Sequence, residues 1–236
     1  MFELVTLERR ADTSALRSVI VYVIALIVAT ALSLGVMIAA GVPTGALFEE
    51  LVVQVFLSEA GLSRTVTMAT PMILAALAAA LCLRLKFWNI GIEGLLIMGA
   101  ILATAVALYD IGGPARLPVM LAASALGGAL WVAAPAILKL RFGVSEVIVT
   151  LLLSNVAFLF LQHLLFGPFG DTSHNFPTSP VFDEAEKLAR FGYGDTNTGL
   201  IIALVAVAAI ALVTHRMRFG FAARFAGDNV RAAEAL

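Results

Sequence analysis

Residues 18–40 read SVIVYVIALIVATALSLGVMIAA, a largely apolar stretch without one charged side chain. A helix of about 20 such residues is long enough to cross the hydrocarbon core of a bilayer. Five further runs approach that length, at 66–83, 90–109, 118–138, 147–166 and 199–215. Of all 236 residues, 61% are hydrophobic and 13% are charged, whereas about a quarter are charged in a typical soluble domain. The sequence therefore predicts an all-α, polytopic membrane helix bundle of about six transmembrane helices, and it excludes a soluble enzyme.

The distribution of Lys and Arg predicts the orientation, because cytoplasmic loops retain positive charge during insertion. With both termini in the cytoplasm, the inner set is Arg9, Arg10, Arg17, Arg84, Lys86, Lys139, Arg141, Arg216, Arg218, Arg224 and Arg231, and the outer set is Arg64, Arg116, Lys187 and Arg190. The chain then comprises a cytoplasmic tail (1–17), a six-helix bundle (18–215) with an outer loop (167–198), and a cytoplasmic segment (216–236). A cleaved signal peptide is the alternative for the first run, although that run exceeds a typical h-region.

Several classes of function lack support in the sequence. The 15 Lys and Arg nearly balance the 16 Asp and Glu, so no basic surface predicts nucleic-acid binding. A lone Cys82 and three scattered histidines predict neither a redox site nor a metal site. The GxSxG and GxxxxGK[ST] motifs are absent, so we expect a chain that is not an enzyme and holds no cofactor. If ATP drives its activity, another subunit binds the ATP.

The start of the third run, NIGIEG at 89–94, is a poor continuous helix because it combines two glycines with polar side chains. Broken backbone at membrane depth is tolerated where protein or a water-filled cavity receives it. We therefore expect a broken segment before the third helix, facing the bundle interior, with a plain cytoplasmic turn as the alternative. Pro71 should bend the second helix. Glu93 is the one charged residue within the six runs, and ion-coupled carriers usually bury more.

The fifth run has the richest set of polar side chains. Glu146, Thr150 and Ser154 form one helical stripe, and Asn155 and Gln162 form another. Uncharged hydrogen-bonding groups suit a neutral polar solute such as a sugar or a nucleoside, and interhelical hydrogen bonding is the alternative for each residue. The predicted substrate pathway consists of Asn89, Glu93, Thr150, Ser154, Asn155 and Phe158.

Other patterns concern packing and surfaces. Small residues recur every four positions in the third and fourth runs, so helices in the bundle should be able to approach closely. Apolar residues of 47–56 share one helical face, which predicts a short helix lying in the outer interface. The outer loop interleaves prolines with aromatic residues, and it can either dock a partner or cover the helix ends as a lid.

Four motifs give the chain a resemblance to a known family. From about Thr70 to the last residue, it is similar to the permease subunits of ATP-binding-cassette importers, in the nucleoside and simple-sugar branch related to ribose and branched-chain amino acid permeases. The motifs are TPMIL at 70–74, FWNIGIEG at 87–94 with GA at 99–100, GVSEVIVTL at 143–151, and RFGF at 218–221 followed by Arg224, AGDN at 226–229 and AA at 232–233. The chain departs from the family pattern at Leu95, Ser145 and Ser154. It also stops before the further helices of family members, so an N-terminal fragment is expected.

The resemblance implies a permease subunit that moves a small neutral polar solute, a nucleoside or simple sugar, across the bacterial inner membrane by alternating access. It implies a cytoplasmic ATP-binding-cassette ATPase that holds ATP and Mg, a second permease subunit, an extracytoplasmic solute-binding lipoprotein and the surrounding bilayer. By the same analogy the C-terminal segment is a coupling helix that contacts the ATPase through Gly227, Asp228, Asn229, Ala232 and Ala233. The alternatives are a secondary carrier or channel, a non-transporting scaffold and, for this segment, an amphipathic connector.

Overall fold

The computed structural model of the chain describes residues 15–171, 173, 176–192, 194–217 and 220. These residues form seven α-helices, a π-helical stretch and two short 3-10 helices. Their only β-type pairing is an isolated bridge between Arg190 and Asn197. The predicted all-α helix bundle is confirmed. The chain divides into two units, residues 1–62 and 63–236. Inner and outer denote the cytoplasmic and the opposite ends in the predicted orientation.

The first unit is dominated by one long helix, α1 (Ala15–Ala39), which is exposed along almost its whole length. The chain leaves it at Gly41, whose φ of +90° suits glycine, and enters α2 (Thr44–Phe48). Ser58 then caps the start of the next helix, because its hydroxyl accepts the backbone N–H of Gly61 at 3.0 Å. Because the apolar side chains of α1 are exposed, this helix is suited to contact with lipid.

The short helix predicted at 47–56 is present, but most of it is of another type. After α2 the chain continues without a break as a π-helical stretch, Glu49–Leu57. Its hydrogen bonds join residues five apart instead of four, so side chains five apart come together. The Gln54 amide accordingly donates to the Glu49 carboxylate at 3.2 Å. The predicted short helix is therefore present, but most of it is π-helical and not α-helical.

The second unit contains the remaining helices: α3 (Glu59–Arg84, from Ser63 onward), α4 (Ile92–Leu108), α5 (Arg116–Phe142), α6 (Glu146–Leu165) and α7 (Gly199–Arg216). Within the described residues, five helices are long and apolar enough to cross a membrane, namely α1, α3, α5, α6 and α7. The sixth predicted crossing is α4, whose 17 residues extend about 26 Å, somewhat less than the roughly 30 Å of a hydrocarbon core. It is shorter than the predicted run because the residues before Ile92 are not helical.

The helix α4 packs against both α5 and α6, which also contact each other. Glycines permit this approach: an added Cβ on Gly99 would lie 2.9 Å from Ser124 Oγ, and one on Gly127 would lie 2.6 Å from the Met98 carbonyl oxygen. The expectation that small residues allow close packing is thus confirmed. A buried apolar cluster joins the outer ends of α4 and α5 and consists of Val106, Ala107 and Met120.

A non-helical segment separates α3 from α4, but it lies earlier than the predicted break at 89–94, because Ile92, Glu93 and Gly94 already belong to α4. The helix α3 ends at Arg84, and residues 85–91 are not helical. Within this segment Lys86 has a φ of +49°, a left-handed conformation that is uncommon for residues other than glycine. By contrast, α3 runs through Pro71 without interruption. The break therefore occurs at the glycine-containing segment and not at the proline.

Candidate functional site

The broken segment is held in place by hydroxyl groups of α6. The Thr150 hydroxyl accepts the backbone N–H of Ile90 at 3.3 Å, and the Ser154 hydroxyl accepts that of Gly94 at 3.0 Å. Gly94 lies in the first turn of α4, where backbone N–H groups have no partner within their own helix. Ser154 therefore caps α4 from a neighbouring helix. The contact requires glycine at position 91, because an added Cβ on Gly91 would lie 2.2 Å from the Thr150 carbonyl oxygen.

An ion pair ties the inner ends of α5 and α6 to the same segment. Lys139 Nζ donates to Glu146 Oε1 at 2.5 Å and to the carbonyl oxygen of Lys86 at 3.2 Å. The same carboxylate oxygen accepts the backbone N–H of Trp88 at 3.3 Å. Lys139 Nζ also lies 5.4 Å from the centre of the Phe87 ring, within cation–π range. The backbone of residues 86–88 is thereby connected to both helices.

Asn89 lies at the junction of α4, α5 and α6. Its Oδ1 accepts the backbone N–H of Gly91 at 2.9 Å. Its side chain lines a cavity of about 10 Å³ together with Trp131 and Thr150. Trp131 Nε1 is buried and has no hydrogen-bond acceptor among the described residues. A space of this size is about that needed by one water molecule. The junction is therefore a small polar centre within an apolar helix interface.

The other predicted pathway residues, Glu93, Asn155 and Phe158, lie on the exposed surface of α4 and α6. The Asn155 amide donates to the carbonyl of Leu151, one turn back in its own helix, at 2.9 Å. Phe158 is 47% exposed. These three side chains are thus open to the surroundings, whereas the other three predicted pathway residues lie together at the junction.

Two helix faces lead from the junction to the outer side. Residues three or four apart share a helix face, and the faces consist of Glu93, Ile97, Ala100 and Thr104 on α4 and of Ser154, Phe158, Leu161 and Leu165 on α6. The outer members of both rows line a cavity of about 1130 Å³. This volume is ample for a small solute, since typical ligand pockets measure roughly 300–1,000 Å³. The rows that contain predicted pathway residues therefore end at an open outer cavity.

The outer loop supplies the rest of this cavity wall. Its contribution is mainly aromatic and prolyl, with a few polar groups: Phe169, Asp171, Phe176, Pro177, Thr178, Ser179, Pro180, Val181, Phe182 and Lys187. Phe169 is buried at 5% exposure, whereas Phe176 is 74% exposed. This arrangement over the outer ends of α4 and α6 agrees with the interpretation of the loop as a lid.

One attachment of the loop is a charge cluster at the start of α5. Arg116 Nη1 contacts Glu186 Oε1 at 2.7 Å, and Nη2 contacts Asp110 Oδ1 at 2.6 Å. Glu186 Oε2 in turn accepts the backbone N–H of Asp183 at 2.9 Å, which closes the short 3-10 helix Glu184–Glu186. The hydrogen bond from Arg116 and that from the Asp183 backbone lower the pKa of Glu186 below its ordinary value. The loop is therefore held here by a carboxylate that is ionised at neutral pH.

A second attachment joins the loop to the outer end of α3. The Ser63 hydroxyl accepts the backbone N–H groups of Asp195 at 2.7 Å and Thr196 at 3.1 Å. The Thr67 hydroxyl donates to the Asp195 carbonyl at 3.1 Å. Gly194 makes the turn with a φ of +60°, and an added Cβ there would lie 2.8 Å from Ser63 Oγ. The two attachments hold the second half of the loop, at 183–186 and at 194–196.

Some predicted residues lie outside the described part of the chain. These include Arg9 and Arg10 of the predicted tail and the whole predicted ATPase contact, namely Gly227, Asp228, Asn229, Ala232 and Ala233. The roles of the contact residues remain predictions.

Three side chains important for the site were not singled out from the sequence: Lys139, Arg116 and Ser63. The first two were counted only as charges that indicate orientation. A signal for Lys139 does exist, because Lys139 and Glu146 flank Gly143 at a helix–helix turn and carry opposite charges. Ser63 contacts residues more than 130 positions away, and a spacing pattern does not reveal such a pair.

The comparisons with known proteins identify relatives of this chain. A family described as the permease component of the branched-chain amino acid transport system matches residues 61–236. The chain is 36% identical over 193 residues to the glucose ABC transporter permease protein TsgB13 of Haloferax volcanii, covering 77% of this chain and 51% of that protein. It is 33% identical over 178 residues to the guanosine ABC transporter permease protein NupP of Bacillus subtilis, covering 72% and 50%.

A third relative is the nucleoside ABC transporter permease protein NupB of Lactococcus lactis, 26% identical over 232 residues, which cover 92% of this chain and 63% of that protein. No solved structure matches the chain.

The chain belongs to the family of branched-chain amino acid transport system permease components. With its apolar helices, this makes it a multi-pass integral protein of the bacterial inner membrane. The resemblance inferred from its motifs is confirmed. Its relatives are permease subunits, which are transport components and not catalytic ones. The chain spans about half the length of the first two curated relatives.

Proposed function

We propose that the protein acts as the transmembrane permease subunit of an ATP-driven importer that moves a small neutral polar solute, a nucleoside or a simple sugar, by alternating access. Family membership supports the transport role, and the names of the relatives supply these solute classes. The main structural support is the pair of helix faces on α4 and α6, which carry Glu93 as their one charged residue and end at the outer cavity.

In this proposal the six pathway residues divide into two groups. Glu93, Asn155 and Phe158 face the passage and contact the solute, with Phe158 offering apolar surface to a base or a sugar ring. The junction residues Asn89, Thr150 and Ser154 hold the broken segment against α6. Because the hydroxyls of α6 bind the backbone of that segment, a movement of α6 would carry the start of α4 with it. This coupling is suited to a change of access between the two sides.

The partners follow from the same proposal. A cytoplasmic ATP-binding-cassette ATPase binds ATP and Mg, so this chain itself carries no cofactor. A second permease subunit, the same or related, completes the passage, since such devices are built around symmetric or pseudo-symmetric pairs. An extracytoplasmic solute-binding lipoprotein delivers the solute at the outer side. The ATPase contact is placed at Gly227, Asp228, Asn229, Ala232 and Ala233.

The test is uptake of labelled nucleosides and sugars by proteoliposomes that contain the full-length gene product, its ATPase and its binding protein. We expect uptake of one solute class that requires both ATP and the binding protein. Phe158→Ala should lower this uptake several-fold, whereas Phe160→Ala, on a different exposed face of α6, should leave it nearly unchanged. Uptake that persists without the ATPase and follows an ion gradient would indicate a secondary carrier. ATP hydrolysis that no solute stimulates would indicate a scaffold.

A further inference from the structure

A groove lies between the inner halves of α3 and α7. The start of α7 lies close to the middle of α3, because an added Cβ on Gly199 would lie 3.5 Å from Thr70 Cγ2. Further in, a cavity of about 190 Å³ separates them, with walls that begin at Leu77 on α3 and at Val207 on α7. From these residues the walls extend for two turns, about 10–12 Å, to the inner helix ends. The groove is therefore long enough for the upper part of one acyl chain.

The inner end of the groove carries a cation. Arg84, the last residue of α3, is exposed and lines the cavity, opposite the last turn of α7. None of the described residues that line it is Asp or Glu. Within the described chain Arg84 has no ion-pair partner. A guanidinium group binds phosphate oxygens through parallel N–H donors. The groove thus combines apolar walls with a rim suited to an anionic oxygen group.

The position of the groove along two membrane-spanning helices determines which molecules can enter it. Its walls belong to two helices long enough to span the bilayer, so the medium beside them is acyl chain. Its rim lies at the cytoplasmic end of those helices, next to the leaflet whose anionic lipids attract basic side chains, and basic pockets between helices on that side bind lipid head groups. We propose that the groove binds one anionic phospholipid, with its phosphate at Arg84 and an acyl chain between α3 and α7. This site is separate from the passage for the transported solute.

The test uses the full-length protein in nanodiscs of phosphatidylcholine, with or without phosphatidylglycerol. Native mass spectrometry after mild delipidation should show one retained phosphatidylglycerol per subunit. We expect Arg84→Gln to weaken this retention about tenfold. Arg141→Gln is the matched control, because Arg141 is also exposed in the last turn of a spanning helix but does not line the groove. Ala211→Phe, which fills the apolar wall without changing charge, should also reduce retention.

Three outcomes would overturn the proposal. Equal losses in Arg84→Gln and Arg141→Gln would indicate a general attraction of anionic lipid. Equal retention of phosphatidylcholine and phosphatidylglycerol would indicate an unselective annular lipid. In Ala211→Cys, efficient cross-linking to another protein helix of the assembled transporter would show that protein covers the groove. Solute uptake and its ATP dependence are measured in a separate experiment. Failure of the lipid site would therefore not count against the proposed transport function.

Discussion

Two adjacent glycines of α5 differ in the space around them. An added Cβ on Gly127 would lie 2.6 Å from the Met98 carbonyl oxygen, whereas one on Gly128 would meet nothing closer than the Leu95 carbonyl oxygen at 3.6 Å. Gly127→Ala should therefore force α4 away from α5 and destabilise the protein by about 1–3 kcal/mol. Gly128→Ala should be neutral or stabilise it by up to about 1 kcal/mol, because alanine is the better helix former. Thermal unfolding in one detergent compares the two, and equal Tm values would contradict the close packing.

Ser154 and its neighbour Asn155 allow a cap between two helices to be compared with an exposed polar side chain that bonds within its own helix. Ser154→Ala leaves the Gly94 N–H without its acceptor, so we expect a loss of about 1–2 kcal/mol in stability. Asn155→Ala removes only an exposed amide that bonds to its own helix and should cost little. Hydrogen exchange at the Gly94 amide provides the specific measurement. It should accelerate in the first variant only, and unchanged exchange there would disprove the interhelical cap.

Among the structural elements, the break before α4 depends on neighbouring helices. A buried backbone group without a hydrogen-bond partner costs about 1–3 kcal/mol, so a non-helical segment packed against other helices needs partners. Those partners are the hydroxyls of Thr150 and Ser154 and the ion pair between Lys139 and Glu146. The segment between α3 and α4 can therefore be non-helical because side chains of α5 and α6 provide hydrogen-bond partners for its backbone.

The outer loop should loosen in acid through Glu186. Its folded pKa is lowered, chiefly by the hydrogen bond from Arg116, below the ordinary value of 4.5. The unfolded chain therefore binds more protons, so the contribution of Glu186 is complete above that ordinary value and is lost as the pH falls through the lower folded pKa. We expect the protection factor of the Asp183 amide to fall as the pH is lowered below about 4.5.

The Glu186→Gln variant should show lower protection at neutral pH and a much weaker pH dependence. Glu184→Gln is the control, because the Glu184 side chain is 91% exposed in its pair with Lys187, and such pairs contribute little. The same acid sensitivity in Glu186→Gln and in the unaltered protein would show that this carboxylate does not hold the loop.

In the molecule as a whole, large apolar side chains are mostly on the outside. Long stretches of Leu, Ile, Val and Phe are exposed on the helices, while the buried positions include small residues such as Ala107, Ala157 and Ala203. A soluble protein would show the reverse distribution. In lipid there is no hydrophobic gain from burying Leu, so close helix contacts are made by small residues. The packing therefore agrees with a bilayer as the solvent.

The orientation of the whole molecule is open to direct measurement. In a Cys82→Ala background, Thr178→Cys in the outer loop should react with a membrane-impermeant maleimide in intact spheroplasts. Arg141→Cys, at the inner end of α5, should react only after permeabilisation. Both positions are exposed, so burial does not account for a difference. The reverse pattern would overturn the orientation predicted from the Lys and Arg positions.

Part of the candidate site could be predicted from local sequence. A break at 89–94 was expected because glycines and polar side chains oppose a helix in lipid, and the structure places the non-helical residues at 85–91. Thr150 and Ser154 were singled out because they recur with helical spacing, and the structure places both against the backbone at the start of α4. The role of Lys139 was missed, since its contacts with Glu146 and Lys86 depend on where helix ends meet. The π-helical stretch was also missed, because its apolar pattern resembles that of an α-helix.

By itself, the sequence determined that this is a membrane-embedded all-α protein with a broken segment before α4. It did so because length, hydrophobicity and glycine content act locally along the chain. Only the tertiary structure decided that Ser154 caps α4, that Ser63 and Arg116 hold the outer loop, and that the faces of α4 and α6 end at one cavity. Such contacts join residues 60 to 133 positions apart, and they depend on how the helices pack rather than on any pattern within one helix.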